Sequence, residues 1–388
     1  MDRRRVVVTG VGAVGAPGIG MDDLWKGIQQ PPGLAPRLID NWDPEPWIPR
    51  REARRLDMFT QFALVATDEA FGQSGPLGAD HNRISVVLGT AIGGLQSLQR
   101  LYDDSKEDEP RPSPFSIPMM MANAAAAAIS IKYGFGGQVT TPVVACAAGS
   151  QAVIDGLRQI QWGYADAAVV GGAEAAAIRS AREGFKAARA LSPAGFARPF
   201  DVDRDGFVMG EGAGILILEA AEVAEARGAA PIAEILGAAS TADAYHVTAP
   251  HPEGEGAERA VRLALEDAAL DPSDISYVSA HGTGTELNDR TEGAVIARVF
   301  GDDQPPVSSI KGATGHALGA SGSIEMAVVV EAIRRGELPP NAGLNVQDPA
   351  IALDDIVREP RQWEPGPALS NSFGFGGHNT VITISPVK

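Results

Sequence analysis

Short apolar runs alternate with longer stretches of helical periodicity along this chain. Residues 6–8 and 84–88 are aliphatic runs that each lead into a glycine, a pattern typical of buried strands. Apolar residues spaced three and four positions apart predict a helix over residues 50–71, and an alanine-rich stretch predicts another over 122–131. Further strands are predicted at residues 143–146, 167–170, 214–219, 232–236, 275–279, 307–310 and 381–384, and further helices at 147–160 and 257–269.

This alternation predicts an α/β protein whose sheets are rich in parallel strands and buried on both faces. A second series of strands and helices begins near Pro231, which divides the chain into residues 1–230 and 231–388. No low-complexity linker separates the two parts, and the proline-rich stretch 31–49 is predicted to be a loop. We therefore expect two halves that share one core.

Composition and charge exclude several classes of protein. The 388 residues include 45 glycines but a single cysteine, so neither an intrachain disulfide scaffold nor a cysteine-rich zinc site is expected. The formal charge of -17 argues against a nucleic-acid-binding surface over the whole molecule. The N-terminal apolar run breaks at Thr9 and Gly10, and no run approaches the length of a membrane span. These features predict a soluble, cytoplasmic protein without a membrane segment.

The glycine motif of residues 10–15, G-V-G-A-V-G, matches the dinucleotide-binding fingerprint and follows a predicted strand. That fingerprint needs a helix to begin at once, so that backbone N–H groups of its first turn meet the pyrophosphate. Here Pro17, Gly18 and Gly20 intervene, and helical periodicity starts near Asp22. A nucleotide-binding oxidoreductase is a rival hypothesis that rests on this motif alone, and no cofactor is expected.

The single thiol, Cys146, lies where a predicted strand meets a predicted helix and is followed by small residues. At a helix N-terminus, unpaired backbone N–H groups and the positive end of the helix dipole favour a thiolate. The small neighbours would let a bulky acyl thioester approach the sulfur. The alternative is a cysteine that only fills the core, and the position of Cys146 alone does not decide between the two.

Two of the six histidines are placed as catalytic groups often are. His281 follows a predicted strand within S-A-H-G-T-G-T, and His316 follows another within K-G-A-T-G-H-A-L-G. Glycine-rich loops at strand ends give a rigid support with open surroundings, although a structural turn histidine is the alternative for each. A metal site is not expected, because the histidines lack the spacing of zinc ligands.

Two further motifs have both a functional and an ordinary interpretation. Residues 371–379, N-S-F-G-F-G-G-H-N, form a glycine-dense turn that either aims backbone N–H groups inward as an oxyanion hole or simply connects to the last strand. Residues 50–55, R-R-E-A-R-R, place like charges four positions apart on the predicted helix, where they repel. On an acidic protein this cluster indicates either an anionic partner or a solvated face.

With these motifs in this order, the chain resembles the β-ketoacyl-acyl-carrier-protein synthase family, closest to the type II elongating condensing enzymes of fatty acid and polyketide synthesis. The resemblance covers essentially the whole chain and is densest in residues 144–150, 190–219, 279–285, 311–319 and 371–379. It implies a thiolase-like αβαβα sandwich of two similar halves, residues 1–230 with the nucleophile Cys146 and residues 231–388 with His281 and His316. It also implies a dimer, formed with a second copy or with a related subunit.

The resemblance implies a decarboxylating Claisen condensation between acyl and malonyl thioesters held on an acyl carrier protein. Cys146 would carry the acyl chain as a thioester. His281 and His316 would polarise the malonyl thioester carbonyl through neutral imidazole N–H groups. The backbone N–H groups of Cys146 and Phe373 would form the oxyanion hole, and Phe373 would also gate the acyl pocket.

Other positions acquire roles from the same resemblance. Lys311 would support the histidine pair, Glu292 would be the nearby acid, and Met121 would shape the acyl pocket. Four arginines match the basic residues that dock the acidic carrier protein: Arg51, Arg54, Arg55 and Arg198. Neither a metal nor a cofactor takes part in this chemistry.

Two alternative subunit roles accompany the resemblance. The first is a ketosynthase that is active only with a chain-length-factor-like partner in secondary metabolism. The second is a non-catalytic partner subunit, which is disfavoured because such proteins generally lack the cysteine and histidines that are intact here. Acyl chain length and the choice between a fatty acid and a polyketide pathway do not follow from the sequence.

Overall fold

The computed structural model describes residues 3–31, 33, 37–106 and 111–387, so residues 32 and 34–36 of the predicted loop lie outside it. The strands in this part of the chain are β1 (Val6–Gly15), β2 (Gly18–Ile19), β3 (Ile84–Gly89), β4 (Val139–Thr140), β5 (Ala167–Glu174), β6 (Gly212–Ala220), β7 (Ala233–Ala242), β8 (Tyr277–Ser279), β9 (Val307–Ser308), β10 (Glu337–Leu338), β11 (Arg361–Gln362), β12 (Ala368–Gly374) and β13 (His378–Pro386). The helices are α1 (Met21–Ile28), α2 (Arg50–Ala53), α3 (Met58–Ser74), α4 (Leu95–Asp104), α5 (Ser116–Met120), α6 (Ala124–Tyr133), α7 (Ala148–Gln161), α8 (Arg179–Ala187), α9 (Ala221–Ala226), α10 (Glu255–Ala268), α11 (Glu286–Phe300), α12 (Lys311–Thr314) and α13 (Ser321–Arg335). Short 3₁₀ turns cover His81–Arg83, Ala145–Ala147, Pro272–Asp274 and Leu318–Ala320.

Two groups of five strands have the same order and orientation. The first group runs β4-β3-β5-β6-β1 and the second β9-β8-β12-β13-β7. In each group the first three strands are parallel, and the fourth is antiparallel to both of its neighbours. The groups join where β1 pairs antiparallel with β7. This repeated topology confirms the predicted α/β fold of two similar halves.

Alternate side chains of the strands enter different cores, which produces a sandwich of five layers. On β6, Ile215 and Ile217 pack with α3 and α6, whereas Leu216 and Leu218 pack with α7 and α13. A third core joins α10 and α11 to the second group of strands. Alternation with apolar side chains on both faces is expected of a sheet that is covered on both sides. The resulting order of layers is the predicted αβαβα arrangement.

The segment before α7 differs from its prediction. The apolar run 143–146 predicts a strand, but β4 ends at Thr140 and Ala145–Ala147 form a 3₁₀ turn. Val143 is 52% exposed, so this run is not a buried strand. Ala145 has a φ of 50°, a left-handed conformation that turns the chain directly into α7. The apolar pattern alone does not reveal this turn.

The single helix predicted over residues 50–71 is two helices. Asp57 caps α3 by accepting a hydrogen bond from the N–H of Phe59 (3.3 Å). Gln61 Nε2 donates to the carbonyl oxygens of Ala53 and Leu56 (3.1 Å each), which ties the end of α2 to α3. The helix breaks because an N-cap residue lies inside the periodic pattern.

The glycine motif of residues 10–15 lies within β1, where it pairs with β6. The strand does not stop at Gly10, and no helix begins there, so the geometry that the dinucleotide fingerprint requires is absent from this segment. Gly10 and Gly12 have a packing role instead. A Cβ on them would lie 2.1 Å from the Ala70 oxygen and 2.0 Å from the Ala66 oxygen of α3, respectively.

The described residues contain neither a membrane-spanning helix nor a cluster of metal-binding side chains. No helix in this part of the chain is long and apolar enough to cross a membrane. No group of three or more His, Cys, Asp and Glu side chains in the same ranges is arranged to hold a metal ion.

Candidate active site

Cys146 lies in the 3₁₀ turn that leads into α7. Its side chain is 7% exposed and packs against Phe207, Met209 and Leu318. The left-handed conformation of Ala145 costs about 1–3 kcal/mol, and it persists because the packed surroundings hold it. Since α7 begins two residues after the thiol, Cys146 stands at the N-terminal end of that helix.

Burial raises the pKa of the Cys146 thiol to about 11. The positive charge of Lys311 and a hydrogen bond from the backbone N–H of Phe375 lower this pKa, whereas the negative charge of Glu174 raises it. The effect of burial on this pKa outweighs that of the helix N-terminus, so the thiol is protonated at neutral pH. This differs from the thiolate that the helix N-terminus predicted, and it means that acylation of Cys146 must be accompanied by proton transfer.

The backbone N–H that faces Cys146 belongs to Phe375 and not to Phe373. Phe373 lies within β12, paired with β13, and its ring centre is 5.8 Å from that of His281. Gly374 ends this strand so close to the nucleophile that a Cβ there would lie 3.1 Å from the Cys146 nitrogen. The structure thus places the N–H of Phe375, rather than that of Phe373, beside the Cys146 sulfur, because the chain turns toward the thiol only after β12 ends. An oxyanion hole at this position stays a prediction.

His281 follows β8 and is held by hydrogen bonds to its backbone. Glu292 accepts bonds from the N–H groups of His281 and Gly282, each 2.8 Å long. Lys311 Nζ donates to the carbonyl oxygen of His281 (2.6 Å) and lies 3.3 Å from its Nδ1. Since an ammonium group only donates, Nδ1 is the acceptor and the proton of the neutral ring is on Nε2.

His316 lies between α12 and the Leu318–Ala320 turn. Its N–H donates to the carbonyl oxygen of Val208 (2.7 Å), and its own carbonyl oxygen accepts from Gly210 (2.9 Å). Nδ1 of the ring is 2.8 Å from the hydroxyl of Ser321. The two imidazole centres are 5.4 Å apart with their planes at 83°. Both rings therefore have Nδ1 engaged by the protein, which leaves Nε2 for a substrate.

Both imidazoles are neutral. Burial lowers the pKa of His281 and of His316 well below the ordinary value, and the positive charge of Lys311 acts in the same direction on each. His316 also lowers the pKa of His281. A neutral imidazole can donate its Nε2 proton to an oxygen that gains negative charge.

Lys311 forms a buried ion pair with Glu325 of α13, a residue that the sequence analysis did not single out. Burial raises the pKa of Glu325 to about 7, and its pairing with Lys311 opposes that shift. Glu292, the predicted nearby acid, binds the backbone of the His281 loop and accepts a bond from Asn371 (3.2 Å). The available sequence signal for Glu325 was one acid within the apolar stretch I-E-M-A-V-V-V.

One cavity of about 370 Å³ brings the thiol, both imidazoles and the Phe373 ring together. Its wall combines aromatic rings with hydroxyl and amide groups, including Phe185, Phe207, Phe375, Thr283, Thr285, Asn288 and Asn379. A separate cavity beside β4 and α7, of about 510 Å³, contains none of the predicted catalytic side chains. The first cavity therefore holds a thiol, two imidazole rings and space for an acyl substrate.

Two family models cover most of the chain. The model for the β-ketoacyl synthase N-terminal domain matches residues 37–224, and that for the C-terminal domain matches residues 232–345. The chain belongs to the β-ketoacyl synthase family. The nucleophile Cys146 lies in the first matched region, and His281 and His316 lie in the second.

Relatives of this β-ketoacyl synthase match it from end to end. The 3-oxoacyl-[acyl-carrier-protein] synthase 2 of Synechocystis sp. is 43% identical over 99% of this chain and 98% of its own. Among solved structures, the ishigamide ketosynthase/chain length factor gives a TM-score of 0.92 at 32% identity and covers 100% of both chains. A type II polyketide synthase acyl-carrier protein in complex with its ketosynthase bound to the hexaketide gives 0.89 at 32%, also over 100% of both chains. The five-layered fold is thus the thiolase-like fold of ketosynthases.

Met121 does not reach the cavity of this synthase within a single chain. It directly follows α5, is 45% exposed, and is not among the residues that line the cavity. Met119 of the same helix turns inward instead and is 8% exposed. Within a single chain, Met121 therefore does not line the cavity that it was expected to shape.

The predicted docking arginines lie outside the cavity wall. Arg51 and Arg54 are exposed on α2 and at its C-cap. Arg55 is also exposed, and its guanidinium carbon is 4.6 Å from the ring centre of Phe115. Arg198 is half-buried against a phenylalanine ring, with a distance of 4.7 Å. Docking of a carrier protein by these residues stays a prediction.

Proposed function

We propose that this chain is a 3-oxoacyl-[acyl-carrier-protein] synthase that condenses an acyl group on Cys146 with malonyl-carrier protein and releases CO₂. The observation that carries the proposal is one cavity lined by a buried thiol and two buried, neutral imidazoles. A thiol is the nucleophile that acyl transfer needs, and two N–H donors beside it are what an enolate needs. The name of the 43% identical relative supports the same activity.

In the first half-reaction, the Cys146 sulfur attacks the thioester carbonyl of the acyl-carrier protein. The S–C bond to Cys146 forms, the bond to the carrier thiol breaks, and the Cys146 proton ends on that leaving thiol. Backbone N–H groups of Cys146 and Phe375 stabilise the oxyanion in between. Because the pKa of the thiol is about 11, its proton leaves as the sulfur attacks and is transferred to the leaving carrier thiol.

In the second half-reaction, the bond between the malonyl carbon and its carboxylate breaks and CO₂ leaves. The electron pair forms an enolate, whose oxygen accepts hydrogen bonds from Nε2 of His281 and of His316. The enolate carbon attacks the acyl thioester on Cys146, so that a C–C bond forms and the C–S bond breaks. The electron pair returns to the Cys146 sulfur, which takes up a proton and is ready for the next acyl group.

The proposed partner is an acyl carrier protein that delivers both thioesters. The solved ketosynthase complex with an acyl-carrier protein supports this choice. Positive charge on a chain whose formal charge is -17 is offered by the exposed Arg51, Arg54 and Arg55 and by the half-buried Arg198. The proposal includes no cofactor, no metal and no nucleic acid.

A second candidate is a synthase that is active only with a chain-length-factor-like partner. The ishigamide ketosynthase/chain length factor supports it, as do exposed apolar side chains in the segments on either side of β4 and after α7: Ile131, Val143, Trp162 and Tyr164. A dimer, a boundary between residues 230 and 231, and a cytoplasmic location are parts of the proposal that stay predictions.

The test is the mass of the intact protein after incubation with acyl-carrier proteins of different chain lengths. We expect an acyl adduct on Cys146 that disappears when malonyl-carrier protein is added, with release of CO₂ and a 3-oxoacyl product. Cys146→Ala should abolish the adduct. His281→Ala should keep the adduct but lower the condensation rate by about 10²–10³-fold, because an N–H donor to the enolate is lost.

The controls separate the candidates. Carrier protein without an acyl group should leave the mass unchanged. A Cys146→Ala protein that elongates at the wild-type rate would contradict the proposal. Condensation that appears only when a related subunit is present would favour the second candidate.

A further inference from the structure

Glu174 is a buried carboxylate that the proposed reaction does not use. It ends β5, is fully buried, and has no ion pair with a lysine or arginine in the described ranges. Four donors surround it instead. The Thr90 hydroxyl donates to Oε1 (3.2 Å), the N–H groups of Ala91 (2.6 Å) and Gly319 (3.2 Å) donate to Oε2, and the N–H of Ile92 also bonds to the carboxylate. Burying a carboxylate without a positively charged partner is energetically unfavourable, so the groups that Glu174 binds indicate its role.

The donors to Glu174 come from two separate parts of the fold. Residues 90–92 directly follow β3, whereas Gly319 lies in the turn after His316. The two segments touch so closely that a Cβ on Gly319 would lie 2.3 Å from the Ala91 nitrogen and 2.8 Å from Glu174 Oε2. Glu174 therefore fastens the loop that carries the second imidazole to the half that carries the nucleophile.

The turn that Glu174 holds is under backbone strain. Leu318, between His316 and Gly319, is not a glycine but has a φ of 44°. Its side chain packs in the same cluster as Cys146. A non-glycine residue keeps such a conformation only where its surroundings over-determine it, and the Glu174 bond to the next N–H is one such restraint.

We propose that Glu174 is a positioning residue that fixes His316 relative to Cys146 across the junction of the two halves. It acts through Gly319 and the Leu318 turn, and it is not among the residues that line the cavity. The proposal rests on the proposed function, because the distance that it fixes is that between the nucleophile and an enolate donor. The carboxylate also places a negative charge near the thiol, which raises the pKa of Cys146.

The primary test is Glu174→Gln. Glutamine has nearly the same size as glutamate and keeps one acceptor oxygen. Its NH₂ group replaces the other oxygen, and because NH₂ is a donor it cannot accept hydrogen bonds from the four surrounding donors. We expect the kcat of condensation to fall by about 10- to 100-fold, since small displacements of catalytic groups have costs of that size. The KM for malonyl-carrier protein should change less than about two-fold, because the exposed arginines are untouched.

Glu69→Gln is the matched control. Glu69 also accepts two backbone N–H bonds, from Ala13 (2.9 Å) and Met21 (2.6 Å), but it joins β1 to α1 and does not line the cavity. This variant should lose thermal stability and keep the wild-type kcat. A matching loss of kcat in both variants would mean that general loosening of the fold explains the effect, and it would overturn the proposal.

A second readout does not depend on condensation. The rate of Cys146 alkylation by iodoacetamide is measured against pH, because the thiolate is the reactive form. In Glu174→Gln the midpoint should move to lower pH, since a negative charge beside the thiol is removed. In Glu174→Asp the charge stays but the side chain is one methylene shorter, so kcat should fall while the midpoint stays close to that of the wild type.

The outcomes separate this proposal from the proposed function. A folded Glu174→Gln protein with a kcat within about two-fold of wild type, or with an unmoved alkylation midpoint, would overturn the role of Glu174 alone. If Glu174→Gln does not fold, Thr90→Val removes one donor and keeps the carboxylate, and an unchanged kcat in that variant overturns the proposal. Absence of condensation by the wild-type protein would instead count against the proposed function, whereas the alkylation comparison would still report on the coupling of Glu174 to the thiol.

Discussion

Burial and the Lys311 ammonium together keep both imidazoles of the cavity neutral. A protonated ring at either position would add a second positive charge beside Lys311 in buried surroundings, which is costly. A neutral Nε2–H gains most when the substrate oxygen becomes an enolate, so it stabilises the transition state more than the ground state. In the proposed mechanism, the Lys311 ammonium, paired with Glu325, thus helps to set the protonation state of the two imidazoles.

This protonation state can be observed directly. In protein labelled with ¹⁵N-histidine, the imidazole nitrogens of His281 and His316 should keep their neutral pattern as the pH falls through 6.5, because a lowered pKa moves protonation to a more acidic range. Long-range ¹H–¹⁵N spectra recorded from pH 8 to about pH 5.5 make the measurement. The signals are assigned by their loss in His281→Ala and His316→Ala, and a midpoint at 6.5 for either ring would contradict the prediction.

The thiol and the two imidazoles could be singled out from sequence, because each is a chemically distinctive residue in a glycine-rich or small-residue loop after an apolar run. Phe375 was missed because the motif contains two phenylalanines, and only the end of β12 decides which N–H turns inward. Glu325 and Glu174 were missed because their partners are far away along the chain. Glu325 is 14 residues from Lys311, and Glu174 is 145 residues from Gly319. Pairing over such separations does not follow from local pattern.

Close contact between β1 and α3 explains the glycines that imitate a nucleotide-binding motif. Gly10 and Gly12 lie two positions apart on one face of β1, and side chains at such positions point to the same side of a sheet. The backbone of α3 occupies that side, with oxygens about 2 Å from where each Cβ would be. The helix therefore lies directly on the strand, and this packing leaves no room for a side chain at either glycine.

Gly12→Ala should destabilise the protein by about 1–3 kcal/mol, the usual cost of forcing extra volume into a packed core. The matched control is Gly72→Ala on α3, where a Cβ would meet nothing within 4 Å. That change should stabilise the protein by about 0.5–1 kcal/mol, because alanine favours helix over glycine. Denaturant unfolding measures both free energies, and equal effects in the two variants would contradict the packing argument.

Most helices and strands could be predicted because their apolar period is clear over many residues. The failures occur where a single residue changes the direction of the chain. Asp57 divides one apolar helical pattern into two helices because it caps the second. The left-handed Ala145 turns an apolar run that looks like a strand into the nucleophile turn. Alanine rarely adopts that conformation, so the tertiary packing around Cys146 must impose it.

The repeated topology of the whole molecule explains why the catalytic groups meet. Cys146 follows β4 and precedes α7, and His316 follows β9 and precedes α13, so the two residues hold equivalent positions in the two halves. Glu174 and Gly374 are likewise the last residues of equivalent strands, β5 and β12. Two copies of one arrangement, joined through β1 and β7, therefore bring the nucleophile of one half to the imidazole of the other.

Charge distribution over the molecule sets the conditions for docking a carrier protein. A formal charge of -17 repels an acidic partner at long range, so approach must depend on local positive charge. Arg51 and Arg54 are exposed on and next to α2, away from the residues that line the cavity. Charges at the rim of an interface mainly govern the rate of association and its dependence on salt.

The double substitution of Arg51 and Arg54 by alanine should raise the KM for malonyl-carrier protein by about 3- to 10-fold, given the modest worth of each exposed charge pair. The kcat should be unchanged, because the cavity is intact. Raising the salt from about 0.05 M to 0.5 M should raise the wild-type KM toward that of the variant, since screening removes the same attraction. Arg361→Ala is the control, because Arg361 is exposed and pairs with Asp355 outside the cavity wall. A KM that stays at the wild-type value in the double variant would show that the carrier protein approaches by another face. A lower kcat in the double variant would also contradict the prediction.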